Sequence, residues 1–411
     1  MTKIDLEFVR AQFPAFKAPL TAGQAFFENA GGSYPCRQVV DRLTRFYTER
    51  KVQPYAPYAA AQAGGEEMDE ARARLAALMG VAAEELSFGP STSANTYVLS
   101  QAVRQWLATS GGAVVVTNQD HEANSGVWRR LADAGIEVRE WRIDPETGHL
   151  DLDDLASLLG DGKVRLVCFP HCSNVVAEIN PVAEICAMVR AAGGYSCVDG
   201  VSYAPHGLPD VKALGADVYL FSAYKTYGPH QGIMTITAKF GAELPAQGHW
   251  FNAGSLSKRF TPSGPDHAQI AACAGMADYI DVLFARHFGA ADATPVARNT
   301  AVHDLMRAQE VTLTAPLLDY LGARNDLRLI GPRQASARAP TVAVALQGAA
   351  EPVAERLALH GINCWGGDFY AVRPLEAMGV DLNLGVLRMS LVHYTSAEDV
   401  SRLIAALDKE L

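Results

Sequence analysis

Between residues 85 and 240 the chain alternates short β-branched runs with longer helical patterns, which restricts its fold more than any other feature. The runs are Val114 to Thr117, Val164 to Phe169, Tyr195 to Asp199, Val218 to Ser222 and Ile233 to Thr237. Apolar runs without polar alternation suit strands buried on both faces, and strands separated by helices pair in parallel. The helices have physical stops. Glu66 to Met79 ends at Gly80; Pro181 to Ala192 opens on a proline that loses no needed hydrogen bond and ends at Gly193-Gly194. The prediction is an α/β fold with a largely parallel sheet, helices on both faces, and ligand groups at the carboxyl ends of the strands.

At 411 residues and 49% hydrophobic composition the chain exceeds one core, since single cores stop growing near roughly 250 to 300 residues. After about residue 290 the pattern changes. A helix through Ala301 to Gly322, a strand at Thr341 to Leu346, a helix at Pro352 to His360, a strand at Val386 to Leu391 and a helix from Ser396 to Leu407, capped by Ser396, describe a smaller α+β unit. The expected division is an N-terminal segment 1–30 packing with the small domain, a large α/β domain over 31–285 and a small domain over 286–411.

A net charge of −10 argues against nucleic-acid or anionic-membrane partners, which call for a basic face. No run approaches the roughly 18 apolar residues of a membrane span, and Met1 to Asp5 lacks a secretory signal's apolar stretch, so the expected compartment is the cytoplasm. The seven cysteines have neither zinc-site nor CxxC spacing, which predicts reduced thiols, no disulfide and no metal.

One of nine lysines stands out. The buried run Val218 to Ser222 leads through Ala223 and Tyr224 directly to Lys225, followed by Thr226, Tyr227, Gly228 and Pro229. An amine at the carboxyl end of such a strand lies where α/β folds bind ligands and can condense with a carbonyl cofactor, pyridoxal phosphate being the first candidate. That cofactor needs a carboxylate for its pyridine nitrogen. Asp199 closes the run Tyr195 to Val198, one crossover before Lys225. It also needs a ring face and a donor to its phenolic oxygen. His121 follows the run ending at Thr117, and Asn174 follows the run ending at Phe169. For the phosphate, Thr92 and Ser93 precede a helix expected from about Ala94 to Ala108, where free amides and the helix dipole favour an anion, and Ser222 adds a hydroxyl. A substrate carboxylate calls for a guanidinium, and Arg388 lies on an otherwise apolar strand where an unpaired charge is costly. Each has an ordinary structural use as well: helix cap, turn residue or salt bridge.

These segments resemble the class V aminotransferase family of fold-type I pyridoxal phosphate enzymes, in its cysteine desulfurase-like branch. The resemblance runs from Phe26-Phe27-Glu28-Asn29-Ala30-Gly31-Gly32 to Arg388-Met389-Ser390-Leu391-Val392-His393-Tyr394. It is most specific at His121-Glu122-Ala123-Asn124, Ser173-Asn174-Val175, Val198-Asp199-Gly200 and Ser222-Ala223-Tyr224-Lys225 with Tyr227-Gly228-Pro229. It implies a seven-stranded mostly parallel sheet with a smaller α+β domain, and a homodimer. It assigns the aldimine to Lys225, the pyridinium partner to Asp199, stacking to His121, the ring oxygen to Asn174, and phosphate to Thr92, Ser93 and Ser222. Gly31 falls in the family's glycine-alanine segment near the substrate.

The departures are specific. Tyr224 replaces the usual histidine before the lysine and Ser202 the glutamine after the aspartate, so both hydrogen bonds are expected to be remade by hydroxyls. Gly264 stands where a partner-subunit threonine is expected. Tyr370 stands at the desulfurase nucleophile, and Cys364 lies six residues upstream in a strand-like run, which suits packing better than thiolate chemistry. The implied function is a pyridoxal-phosphate-dependent enzyme acting on a small amino acid, without a persulfide cysteine. A cysteine-independent carbon–sulfur lyase, a desulfurase using Cys364 and a non-catalytic cofactor-binding protein are the alternatives.

Overall fold

The computed structural model describes residues 2–289 and 292–411. Seven strands form the large sheet: β1 (Leu86–Gly89), β2 (Ala113–Thr117), β3 (Glu137–Trp141), β4 (Val164–Pro170), β5 (Tyr195–Asp199), β6 (Val218–Ser222) and β7 (Gly232–Ile236). Their order is β1-β7-β6-β5-β4-β2-β3. β7 runs antiparallel to both neighbours and the other pairings are parallel. Every residue of β5 and β6 is buried, including the polar Ser196, Asp199 and Ser222, as strands covered on both faces require. β3, with the sequence Glu-Val-Arg-Glu-Trp, escaped the apolar-run criterion because it is an edge strand with only Trp141 buried. Side chains alternate between two cores: Val114, Val116, Leu166, Val218 and Leu220 face one, Val115, Val167, Val198, Tyr219 and Phe221 the other.

A second sheet, antiparallel throughout, comprises β8 (Leu327–Ile330), β9 (Thr341–Leu346), β10 (Trp365–Gly367) and β11 (Val386–Ser390) in the order β10-β11-β9-β8. Its core includes Leu317, Val342, Val344, Leu357, Leu387 and Leu403. The N-terminal Ala25–Phe26 pairs in parallel with Ile362–Asn363, and Glu28 bridges to Ser390 beside β11. That pairing sets Glu28 next to Arg388.

Several boundaries differ from the periodicity. The helix expected from Glu66 spans Ala59–Leu78, because the small residues Ala61, Gly64 and Gly65 bury its first turns. The helix expected from Ala301 begins at Pro295, capped by Thr294, whose hydroxyl accepts from the Ala297 amide at 3.2 Å. Gly80, at φ +72°, ends its helix as expected. The stretch His267–Phe288 has the length and apolarity of a membrane span, but most of it is buried, with Ala271, Ala277, Ile280 and Leu283 in the core.

Candidate active site

The carboxyl ends of β2, β4, β5 and β6 converge on a cavity of about 920 Å³, which segments of the second sheet close from the other side. Lys225 enters it at the end of one 3₁₀ turn, Ala223–Lys225, that follows β6. Two residues later Tyr227 adopts φ +61°, a costly conformation for a bulky side chain. Its hydroxyl is fixed by the Pro205 carbonyl and by His393 Nδ1, and Tyr279 holds His393 Nε2 at 2.6 Å. The strained turn is therefore held from three directions. Among the described residues no carboxylate pairs with the Lys225 amine. Burial, and then the Arg388 charge, lower its pKa to about 8.

Asp199 ends β5 and accepts from the Val201 amide at 2.8 Å through Oδ1. Burial raises its pKa to about 6 against the opposing effects of that amide and Lys225. Asp120, which no spacing or composition singles out, is also buried in the cavity wall. It is bonded to Asn124 and to the His121 amide, and burial together with Asp199 holds it strongly toward the protonated form. Its only signal was adjacency to His121.

His121 caps the helix Glu122–Arg129. Its Nδ1 accepts from the Ala123 amide at 3.0 Å, which places the proton on Nε2. Burial, Lys225 and Arg388 lower its pKa to about 4, so the ring facing the cavity is neutral at pH 7. Thr92 and Ser93 do not precede a helix but begin one, Thr92–Ser110, because Ser91 is the cap and accepts from the Ala94 amide at 3.1 Å. The Thr92 and Ser222 hydroxyls are 2.8 Å apart. A Cβ at Gly232 would come within 2.3 Å of the Ser91 carbonyl carbon, so glycine lets β7 approach the helix start this closely.

Asn174 donates through Nδ2 to the Phe369 carbonyl at 3.0 Å, while its Oδ1 is buried without a partner among the described residues. Ser202, Tyr224 and Gly31 all line the cavity. The Tyr224 ring stacks on His230, centroids 4.8 Å apart and 4° from parallel. Gly264 is in an exposed loop.

Arg388 reaches the wall from β11, already engaged. Its Nη2 donates to Glu28 Oε1 at 2.6 Å, and its guanidinium lies 3.7 Å from the centroid of the Phe369 ring. Glu28 was legible only as a lone charge directly after the apolar segment Ala25 to Phe27. Phe369 and Tyr370 adopt φ +54° and +55° in succession, a turn held by Asn174, by the Glu122 amide on the Tyr370 carbonyl, and by Asp368 on the Tyr370 amide. Tyr370 is 72% exposed, its ring centroid 5.6 Å from that of His121. Cys364 is buried in the second core and burial pushes its thiol up to about 12. All seven cysteines are buried free thiols.

The aminotransferase class-V family pattern matches residues 25–403. An aminotransferase-like protein of Gibberella zeae is 31% identical across 100% of this chain and 99% of its own length. A cysteine desulfurase of Yersinia pseudotuberculosis is 29% identical over 98% of both chains. The solved structure of a cysteine desulfurase from Thermococcus onnurineus superposes with a TM-score of 0.84 at 23% identity, covering 100% of this chain and 99% of that one, and shows the same fold. Lysine, aspartate and histidine at strand ends around one cavity, in a chain that matches the family pattern nearly throughout, make this protein a member of the class-V aminotransferase family of pyridoxal-phosphate-dependent enzymes.

Proposed function

We propose that the cavity holds pyridoxal phosphate on Lys225 and acts on the amino group of a small substrate. The observation that carries this reading is the half-buried amine of Lys225, unpaired among the described residues and with a pKa lowered to about 8, facing the same cavity as Asp199 and His121. The residues fit the cofactor. Thr92 and Ser93 offer amides and hydroxyls at the start of a 19-residue helix, with the Ser222 hydroxyl beside them, a setting suited to phosphate. The orphaned polar atom of Asn174 marks a place for a polar ligand group, and the neutral His121 ring offers a stacking face. Ser202 and Tyr224 supply further hydroxyls.

When bound, the cofactor supplies an electron sink for the bonds at the substrate carbon next to nitrogen. The chain's residues do the rest. Asp199, poised by burial near pH 6, gains a reason to ionise once a cationic ring nitrogen lies against it. Lys225 Nζ takes the proton from the substrate carbon and returns it, as its lowered pKa suits a base at neutral pH. Borohydride reduction of the yellow holoenzyme should fix a pyridoxyl group to Lys225 and to no other lysine, read by peptide mass spectrometry. A label elsewhere, or none, overturns the assignment.

The reaction proceeds without a persulfide. Support comes from the burial of Cys364 and its thiol pKa near 12, against the exposed and electropositive setting that thiolates need. Cys364→Ala should leave turnover with the best substrate unchanged and cost roughly 1 kcal/mol of stability, measured by steady-state assay and urea unfolding. The protein acts as a homodimer, a reading supported by the adjacent Trp250 and Phe251, which are 88% and 68% exposed.

A further inference from the structure

We propose that Glu28 keeps Arg388 as its own counter-ion. The cavity would then prefer an amine whose carboxyl group is absent or masked, as in an amide, ester or thioester, over a free amino acid. The inference rests on the cofactor reading above and names the substrate class of the same site.

A guanidinium grips a carboxylate through two adjacent N–H groups on one open edge. Arg388 already commits one of them to Glu28. Nη2 is taken by Glu28, Nη1 points to the Asn174 carbonyl at 3.5 Å, Nε is buried, and Phe369 covers a face, leaving the side chain 4% exposed. Glu28 Oε2 and Arg388 Nε both lack partners among the described residues, so a turn of the Glu28 carboxylate would complete a second contact within the pair.

The partner is also built in. Gly31 and Gly32 amides donate to the Glu28 carbonyl at 3.0 and 3.3 Å, and a Cβ at Gly31 would come within 2.5 Å of Oε1. Glycine at 31 is what lets the carboxylate turn toward Arg388. Around the pair, six carboxyl side chains line the cavity (Glu28, Asp120, Glu122, Asp199, Glu351 and Asp368) against only two basic ones, Lys225 and Arg388. Asp120 is held toward its protonated form and Glu122 is paired with Arg373, but Glu351 and Asp368 still present like charge to an entering free carboxylate, which a neutral amide or ester avoids.

Two measurements on the purified holoenzyme test this. Alanine, alaninamide and alanine methyl ester share a side chain, and each is titrated against the cofactor's absorbance. The wild type should half-saturate with the masked compounds at concentrations at least about tenfold lower than with alanine, and Glu28→Gln should reverse that order. Propionate, a carboxylate without an amine, is titrated by calorimetry. It should bind Glu28→Gln at least about tenfold more tightly than wild type. A wild type that prefers free alanine, or a folded Glu28→Gln that binds propionate no better, overturns the proposal. If the variant does not fold, the wild-type alanine series decides. If no alanine compound perturbs the spectrum, propionate decides. Absence of a lysine-bound chromophore sinks the cofactor reading instead, and calorimetry still tests Glu28.

Discussion

Lys225→Ala should lower turnover by at least about 10²–10⁴-fold, the usual value of a positioned acid–base group, while the protein remains folded. The loss combines two effects at one atom. The amine that anchors the cofactor disappears, and so does the base that moves the substrate proton. Folding is spared because, among the described residues, the amine makes no ion pair whose removal would strand a buried charge, and the turn that carries it is held instead by Tyr227, Pro205 and His393. Kinetics with the best substrate, absorbance and circular dichroism check this together. An unfolded variant would show that Lys225 is structural, and an active one would move the chemistry elsewhere. A small amine added to the variant should restore part of the proton transfer but not the covalent attachment.

Asp199→Asn separates function from stability in opposite directions. Removing the anion while keeping the shape should lower turnover on the order of 10²–10³-fold, because no fixed charge then favours the cationic ring of the cofactor. The cofactor-free variant should nevertheless be the more stable protein at pH 8. Burial raises the folded pKa of Asp199 from 3.8 to about 6, so the folded state holds this proton more tightly than the unfolded chain. The stability it contributes is full below about pH 4, declines as pH rises, and is lost by the time pH has passed through 6. The difference between 3.8 and about 6 corresponds to roughly 3 kcal/mol, which the asparagine does not carry. Urea unfolding of both cofactor-free proteins should show the variant ahead at pH 8 and the gap closing toward pH 4. A wild type that is more stable at pH 8 would mean its carboxylate is compensated in the cofactor-free protein.

The candidate site was unevenly legible. Lys225, Asp199, His121 and Asn174 stand just past apolar runs, and Ser222 closes one; the end of a buried strand is a place that period and composition locate well. Thr92 and Ser93 were placed outside a helix that they begin, because serine and threonine clusters mark a helix start without fixing which hydroxyl is the cap. Edge strand β3 was missed since three of its five residues are charged and leave no apolar run. Asp120 carried no signal beyond its neighbour. Its protonation state follows from enclosure beside Asp199, a distance no spacing encodes.

What the chain determined by itself was local: runs of β-branched residues too apolar for any position but a sheet interior, glycines that end helices, and reactive side chains placed where strands stop. The tertiary structure decided which groups meet. Glu28 and Arg388 are separated by most of the chain and are joined because Ala25–Phe26 pairs with Ile362–Asn363 and Glu28 bridges to Ser390. Lys225 owes its lowered pKa to enclosure and to that arginine's charge, and its turn to a histidine near the other end of the chain. Burial and electrostatic coupling depend on distances through space, and those exist only after the two sheets have closed on one cavity.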